Sequence, residues 1–148
     1  MSDNANEQFI RSAYQVAEVQ DLPGWIDCFT EEGTFTDMSI GVTYRGKDVA
    51  QPVAAYAKAF PDMHRELYDV YVQGDIVIVE LSLNGTHNGP LETATGTIAP
   101  TGKTVKVPCC DVFRVRDGKI ESFNCYPSGT VMFAQLGILN NLDAATGK

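Results

Sequence analysis

A chain of 148 residues, 44% hydrophobic and 20% charged, has the length of one ordinary domain and a globular composition, which excludes the disordered and fibrous classes. Its formal charge of −8, with only 11 scattered Lys and Arg residues, argues against a phosphate backbone or an anionic membrane as partner. No apolar run reaches the length of a membrane span and the first residues, Met1-Ser2-Asp3-Asn4, lack the pattern of a signal peptide, so a cytoplasmic location is expected.

Apolar residues Phe9, Ile10, Ala13, Tyr14 and Ala17 recur at helical spacing and predict an amphipathic helix over Asn6 to Val19. Asp21-Leu22-Pro23 reads as an N-cap with proline in the first turn, opening a short second helix that carries Trp25, Ile26 and Phe29 and stops at Gly33. Short strands are expected over Gly33 to Ser39 and Val42 to Arg45, then a helix over Lys47 to Phe60 whose start is blurred by Pro52.

After Pro61 the texture changes to strands: His64 to Gln73, Ile76 to His87, Lys103 to Arg116 and Lys119 to Tyr126. The last two are joined by the hairpin dipeptide Asp117-Gly118 and should be antiparallel neighbours. A helix around Thr130 to Leu136 closes the pattern, ahead of a polar tail from Asn140 to Lys148. Helices first and a meandering sheet afterwards predict one α+β domain, its core about residues 6 to 137, with a curved antiparallel or mixed sheet wrapped around the N-terminal helices and leaving a pocket.

Strict alternation along Lys103 to Arg116 places Val105, Val107, Cys109, Asp111, Phe113 and Val115 on one side. Asp111 therefore sits in an apolar row, where a carboxyl must be hydrogen-bonded, paired or held neutral. Asp37 alternates with Phe35 on a much shorter run, and both a pocket role and a turn-capping role are open for it. His87 is in phase with Val77, Val79, Leu81 and Leu83, which would bring its imidazole to the inward end of a strand, and Tyr14 lies on the apolar face of the first helix. The four cysteines, Cys28, Cys109, Cys110 and Cys125, show no metal-finger spacing, and the chain carries no Walker loop, dinucleotide fingerprint or H-E-x-x-H helix, so free thiols, no metal and no cofactor are expected.

Phe60-Pro61-Asp62-Met63-His64, Gly85-Thr86-His87-Asn88-Gly89-Pro90-Leu91, Pro100-Thr101-Gly102-Lys103 and the run from Asp111 to Ile120 together resemble SnoaL-like polyketide cyclases. The likeness spans roughly Asn6 to Gly137 and implies the nuclear transport factor 2-like, cystatin-like roll, a fold that carries enzymes and noncatalytic binding domains alike. It places the cyclase acid/base aspartate at Cys125 and the histidine beside it at Phe123. The ketosteroid isomerase pattern of the same superfamily implies Asp37 as base, with Asp111 as a protonated oxyanion donor and Tyr14 as its tyrosine partner; a neutral aspartic acid in such an isomerase is a known case.

The expected ligand is a small apolar carbonyl compound, with Asp37, Asp111 and Tyr14 acting on it and Trp25, His87, Cys109, Phe123 and Cys125 touching it. The alternative is a noncatalytic ligand-binding or protein-interaction domain. A free outer sheet face, with Val112 on it, suggests a homodimer.

Overall fold

The computed structural model describes residues 3–139 and 144–147; of the expected polar tail, residues 140–143 and 148 lie outside the described residues. The order of elements is α1 (Asp3–Glu18), α2 (Leu22–Asp27), β1 (Phe29–Asp37), β2 (Val42–Arg45), a 3-10 turn (Gly46–Ala50), α3 (Gln51–Ala59), β3 (His64–Gln73), β4 (Ile76–Thr86), the small hairpin β5 (Leu91–Thr93) and β6 (Gly96–Ile98), β7 (Thr104–Arg116), β8 (Lys119–Pro127) and α4 (Gly129–Leu136). Among the described residues no helix is long and apolar enough to cross a membrane.

The helix α1 buries Asn6, Ile10, Ala13, Tyr14 and Ala17 along one stripe, the spacing that makes a helix amphipathic. Asn6 is on that stripe because its Nδ2 donates to the Gly74 carbonyl at 2.9 Å, which ties the helix to the β3–β4 turn. The helix α2 begins as expected: the Asp21 carboxylate accepts from Gly24 N at 3.0 Å and proline occupies the first turn. It ends at Asp27, earlier than its apolar spacing suggests, and Phe29 opens β1.

Gly33, expected to stop a helix and open a strand, is a buried residue inside β1, which has already begun at Phe29. A Cβ there would stand 2.8 Å from the Ile120 carbonyl oxygen, so glycine permits the close approach of β1 to β8. The expected helix from Lys47 divides at Pro52: a 3-10 turn to Ala50, then α3.

Six strands form one sheet in the order β2-β1-β8-β7-β4-β3. All neighbours are antiparallel except β1 and β8, which run parallel. The sheet is curved, and its inner face holds the core beneath α1, α2 and α3. A ladder of rings crosses it, Phe35 to Phe123 and Phe123 to Phe113 each at 4.3 Å between centroids, with Trp25 edge-on to Phe29, Phe35 and Phe123. Trp25 is fixed from behind by its indole N–H, which donates to the Val49 carbonyl at 2.9 Å.

A second, smaller cluster, built from Ala59, Phe60, Val105, Val107 and Leu136, closes the other end beneath α4. There the residues that carry the family likeness stitch loops together. Asp62 accepts from Thr86 N and Thr86 Oγ1 at 2.6 and 2.7 Å, and Gly89 N donates to the Ala59 carbonyl at 3.0 Å. A Cβ on Gly89 would overlap the Lys58 carbonyl oxygen. Gly89→Ala is therefore expected to cost about 2 kcal/mol through forced overpacking, read as a lowered urea midpoint; an unchanged midpoint would show that this loop does not bind the two motifs.

Candidate active site

Three neighbouring strands bring the chemistry together. In their register Asp37 of β1 pairs with Cys125 of β8, and Cys125 pairs with Asp111 of β7. The row Asp37, Cys125, Asp111 thus runs beside the ladder of Phe35, Phe123 and Phe113, one pleat further along each strand. Two strand spacings separate the aspartate Cα atoms, about 10 Å.

Asp111 is 2% exposed, and Tyr14, Cys109 and Cys125 surround its carboxyl. Tyr14 Oη on α1 donates to its Oδ2 at 2.6 Å, and the Cys109 thiol donates to its Oδ1 at 3.3 Å. Burial pushes the Asp111 carboxyl above its ordinary value, while hydrogen bonds from Tyr14, Cys125 and Cys109 and the charge of Arg65 pull the other way. Burial first, then the neighbouring Asp111 carboxyl, also holds the Tyr14 hydroxyl well above the usual phenol range, so Tyr14 keeps its proton and acts as a donor. Its ring is fixed edge-on to Phe113 at 5.7 Å.

Asp37 is half-buried at the end of β1 and does two things. Its Oδ1 accepts from Ser39 N at 3.0 Å and from Ser39 Oγ at 2.6 Å, an Asx turn that leads the chain into β2. The same side chain lines a cavity of about 140 Å³, whose walls also include Tyr14, Trp25, Phe35, Val53, Leu83, Phe123, Cys125 and, at its floor, Asp111. The turn occupies one oxygen; among the described residues no hydrogen bond reaches Asp37 Oδ2.

Cys125 stands between the aspartates. Contact with the Cys109 thiol, 3.7 Å between sulfurs, and then burial hold its thiol well above the usual range, so it is a neutral, weakly polar spacer. All four cysteines are free. Among the described residues, Cys109, Asp111 and Cys125 are the group whose ligand-type atoms converge, all within 4.8 Å. A thiophilic cation bound there would displace the protons these groups now share. Sequence spacing gave no sign of the cluster, because its members come from two strands.

Of the residues singled out from the sequence, Tyr14, Trp25, Asp37, Asp111, Phe123 and Cys125 line the cavity. Cys109 stands behind Asp111 and supports it, off the lining. His87 is elsewhere: β4 ends at Thr86, and the imidazole, fully buried, packs 5.5 Å from the Phe60 ring in the second cluster. Its Nδ1 accepts from Thr101 N at 3.1 Å and its backbone bonds to Lys103 and Gly102, so it clasps the loop before β7. His87 leaves the inward row because the strand stops one residue before it.

Arg65 is a cavity residue that the sequence reading passed over. It is in phase with Leu67 on β3, which was the available signal. Glu18 holds its guanidinium at 3.3 Å, and the Tyr56 ring lies 4.8 Å from it.

The family of the SnoaL-like domain matches residues 10–123. Among solved structures the chain is similar to a provisionally named SnoaL-like polyketide cyclase from Jannaschia sp. CCS1, with 21% identity, 90% of this chain and 92% of the other covered, and a TM-score of 0.78. It is similar to IdmH from Streptomyces antibioticus, also provisionally named a polyketide cyclase, at 22% identity, with 89% and 98% covered and a TM-score of 0.75. A protein of ketosteroid isomerase-like fold from Catenulispora acidiphila, solved with trimethylamine, shares 24% identity over 77% of this chain and 80% of its own, with a TM-score of 0.64. These likenesses establish the fold. Comparison with curated proteins gives no match.

Proposed function

The chain belongs to the SnoaL-like domain family, and from that premise we propose that its cavity carries out acid/base chemistry on a small apolar carbonyl compound, as an isomerase or a cyclase-like enzyme needing no cofactor. The observation that carries this reading is the row of two aspartates across three strands, the inner one buried and bonded to Tyr14 at 2.6 Å. Asp37 Oδ2 removes a proton from the carbon next to the carbonyl, and negative charge moves to the carbonyl oxygen. Tyr14 donates to that oxygen, while a protonated Asp111 turns its own O–H toward Tyr14 Oη and so replaces the proton Tyr14 has redirected. Donors already in place in a dry site stabilise an enolate far better than water does. The proton on Asp37 then returns to the substrate at the same or a conjugated carbon.

The experiment is deuterium exchange into cyclohex-2-enone, followed by NMR in heavy water. Exchange faster with the protein than in buffer supports the reading, and equal rates refute it. A second reading, ligand binding without catalysis, is favoured by one observation: Cys125, a neutral thiol, stands where the cyclase likeness places a catalytic aspartate. Under that reading the enone binds without accelerated exchange.

The proposal extends to a cytoplasmic homodimer, joined through the outer sheet face. There Tyr71, Ile78 and Val112 lie side by side on β3, β4 and β7, with Tyr71 52% exposed. Light scattering at micromolar concentration is expected to give twice the chain mass; the mass of one chain refutes it.

A further inference from the structure

The cavity also limits what can react in it. An apolar cavity of about 150 Å³ in a protein accepts one benzene molecule, and this one, at about 140 Å³, has room for a single six-membered ring. The walls are not free to widen. Trp25, Phe35 and Phe123 meet one another at 4.3 to 6.2 Å between centroids, so moving one ring disturbs the ladder that holds the sheet core. Val53 and Leu83 fill the opposite side.

The polar groups are as restricted as the volume. At the floor Tyr14, backed by Asp111, offers a hydrogen bond to one oxygen, and at the rim Asp37 offers a carboxylate. Between them lie rings, aliphatic carbon, the neutral Cys125 thiol and, on one side, the Arg65 guanidinium, whose charge Glu18 offsets at 3.3 Å. A ligand that fits is flat, apolar along its body and oxygenated at the end that enters first.

Resting on the acid/base reading above, we propose that the substrate class is a monocyclic conjugated ketone or its enol, and that fused-ring skeletons are excluded from the reacting position. Chains attached to the ring leave past the half-buried Pro52 and Pro127, which also line the cavity.

Phenols test this because a phenol resembles the enol of a cyclohexenone. Calorimetry with phenol, 2-naphthol and a four-ring steroidal phenol is expected to show phenol binding best. Naphthol should bind at least about tenfold more weakly, as overpacking a filled site requires, and the steroid should show no binding. Leu83→Ala, which enlarges the cavity without touching the ring ladder, is expected to narrow the gap between phenol and naphthol at least about fivefold.

Naphthol or the steroid matching phenol would overturn the size limit, as would a Leu83→Ala protein with unchanged selectivity. The acid/base reading fails separately: benzene binding as well as phenol shows that Tyr14 and Asp111 contribute nothing to an oxygen, while leaving the size limit in force.

Discussion

Asp37→Asn is expected to lower proton exchange on bound cyclohex-2-enone by about 10²- to 10⁴-fold, the usual contribution of a positioned general base. The substitution is well matched to the site. Asparagine keeps the Oδ1 acceptor that holds Ser39 N and Ser39 Oγ, so the turn into β2 survives and only the second oxygen is lost as a base. Phenol affinity should accordingly stay within about twofold, since Asp37 lies at the far end of the row from the oxygen donors. Retained exchange in Asp37→Asn would remove Asp37 as the base, and lost phenol binding would show that the turn had collapsed.

The second large effect concerns the floor of the cavity. Asp111→Ala is expected to weaken phenol capture and slow enone exchange by about 10²-fold, as loss of an oxyanion-site donor does elsewhere, because Tyr14 Oη and the Cys109 thiol then lose their shared partner. Asp111 also makes a pH-dependent contribution to stability. Burial raises its folded-state pKa above the ordinary 3.8, so between those two values the folded protein holds more protons than the unfolded chain. The contribution is fully present below the unfolded value and is lost as pH rises through the folded value. Asp111→Asn, neutral at every pH, is expected to abolish that decline in urea unfolding measured across a pH series. An identical pH dependence in the variant would mean that Asp111 ionises as freely when folded as when unfolded.

How much of this was legible in the sequence depends on how far apart the interacting residues are. Alternation along one long strand was enough to place Asp111 inward, because period two leaves no freedom over thirteen residues. Helical spacing was enough for Tyr14. The row that joins Asp37 to Asp111 was not legible, since it depends on the parallel pairing of β1 with β8, and nothing local in either strand encodes that partner. The start of β1 departs from the local pattern for a related reason: Phe29 follows Trp25 at helical spacing, yet tertiary packing against Trp25 and Ile120 takes it into the sheet. The motifs that carried the family likeness turned out to fasten loops, as Asp62 to Thr86 and Gly89 to Ala59 do. That is why they identify the fold more readily than the reaction.

Titration of the Asp111 carboxyl by ¹³C NMR tests the account at its centre, the claim that this buried group is a neutral acid beside an apolar cavity. The signal, assigned by its loss in Asp111→Asn, is expected to remain that of a protonated carboxyl above the range of exposed aspartates and to shift when Tyr14→Phe removes the 2.6 Å bond. An Asp111 that ionises near pH 4, as an aspartate in water does, would contradict the account, because a carboxylate at the cavity floor would repel the enolate it is proposed to stabilise.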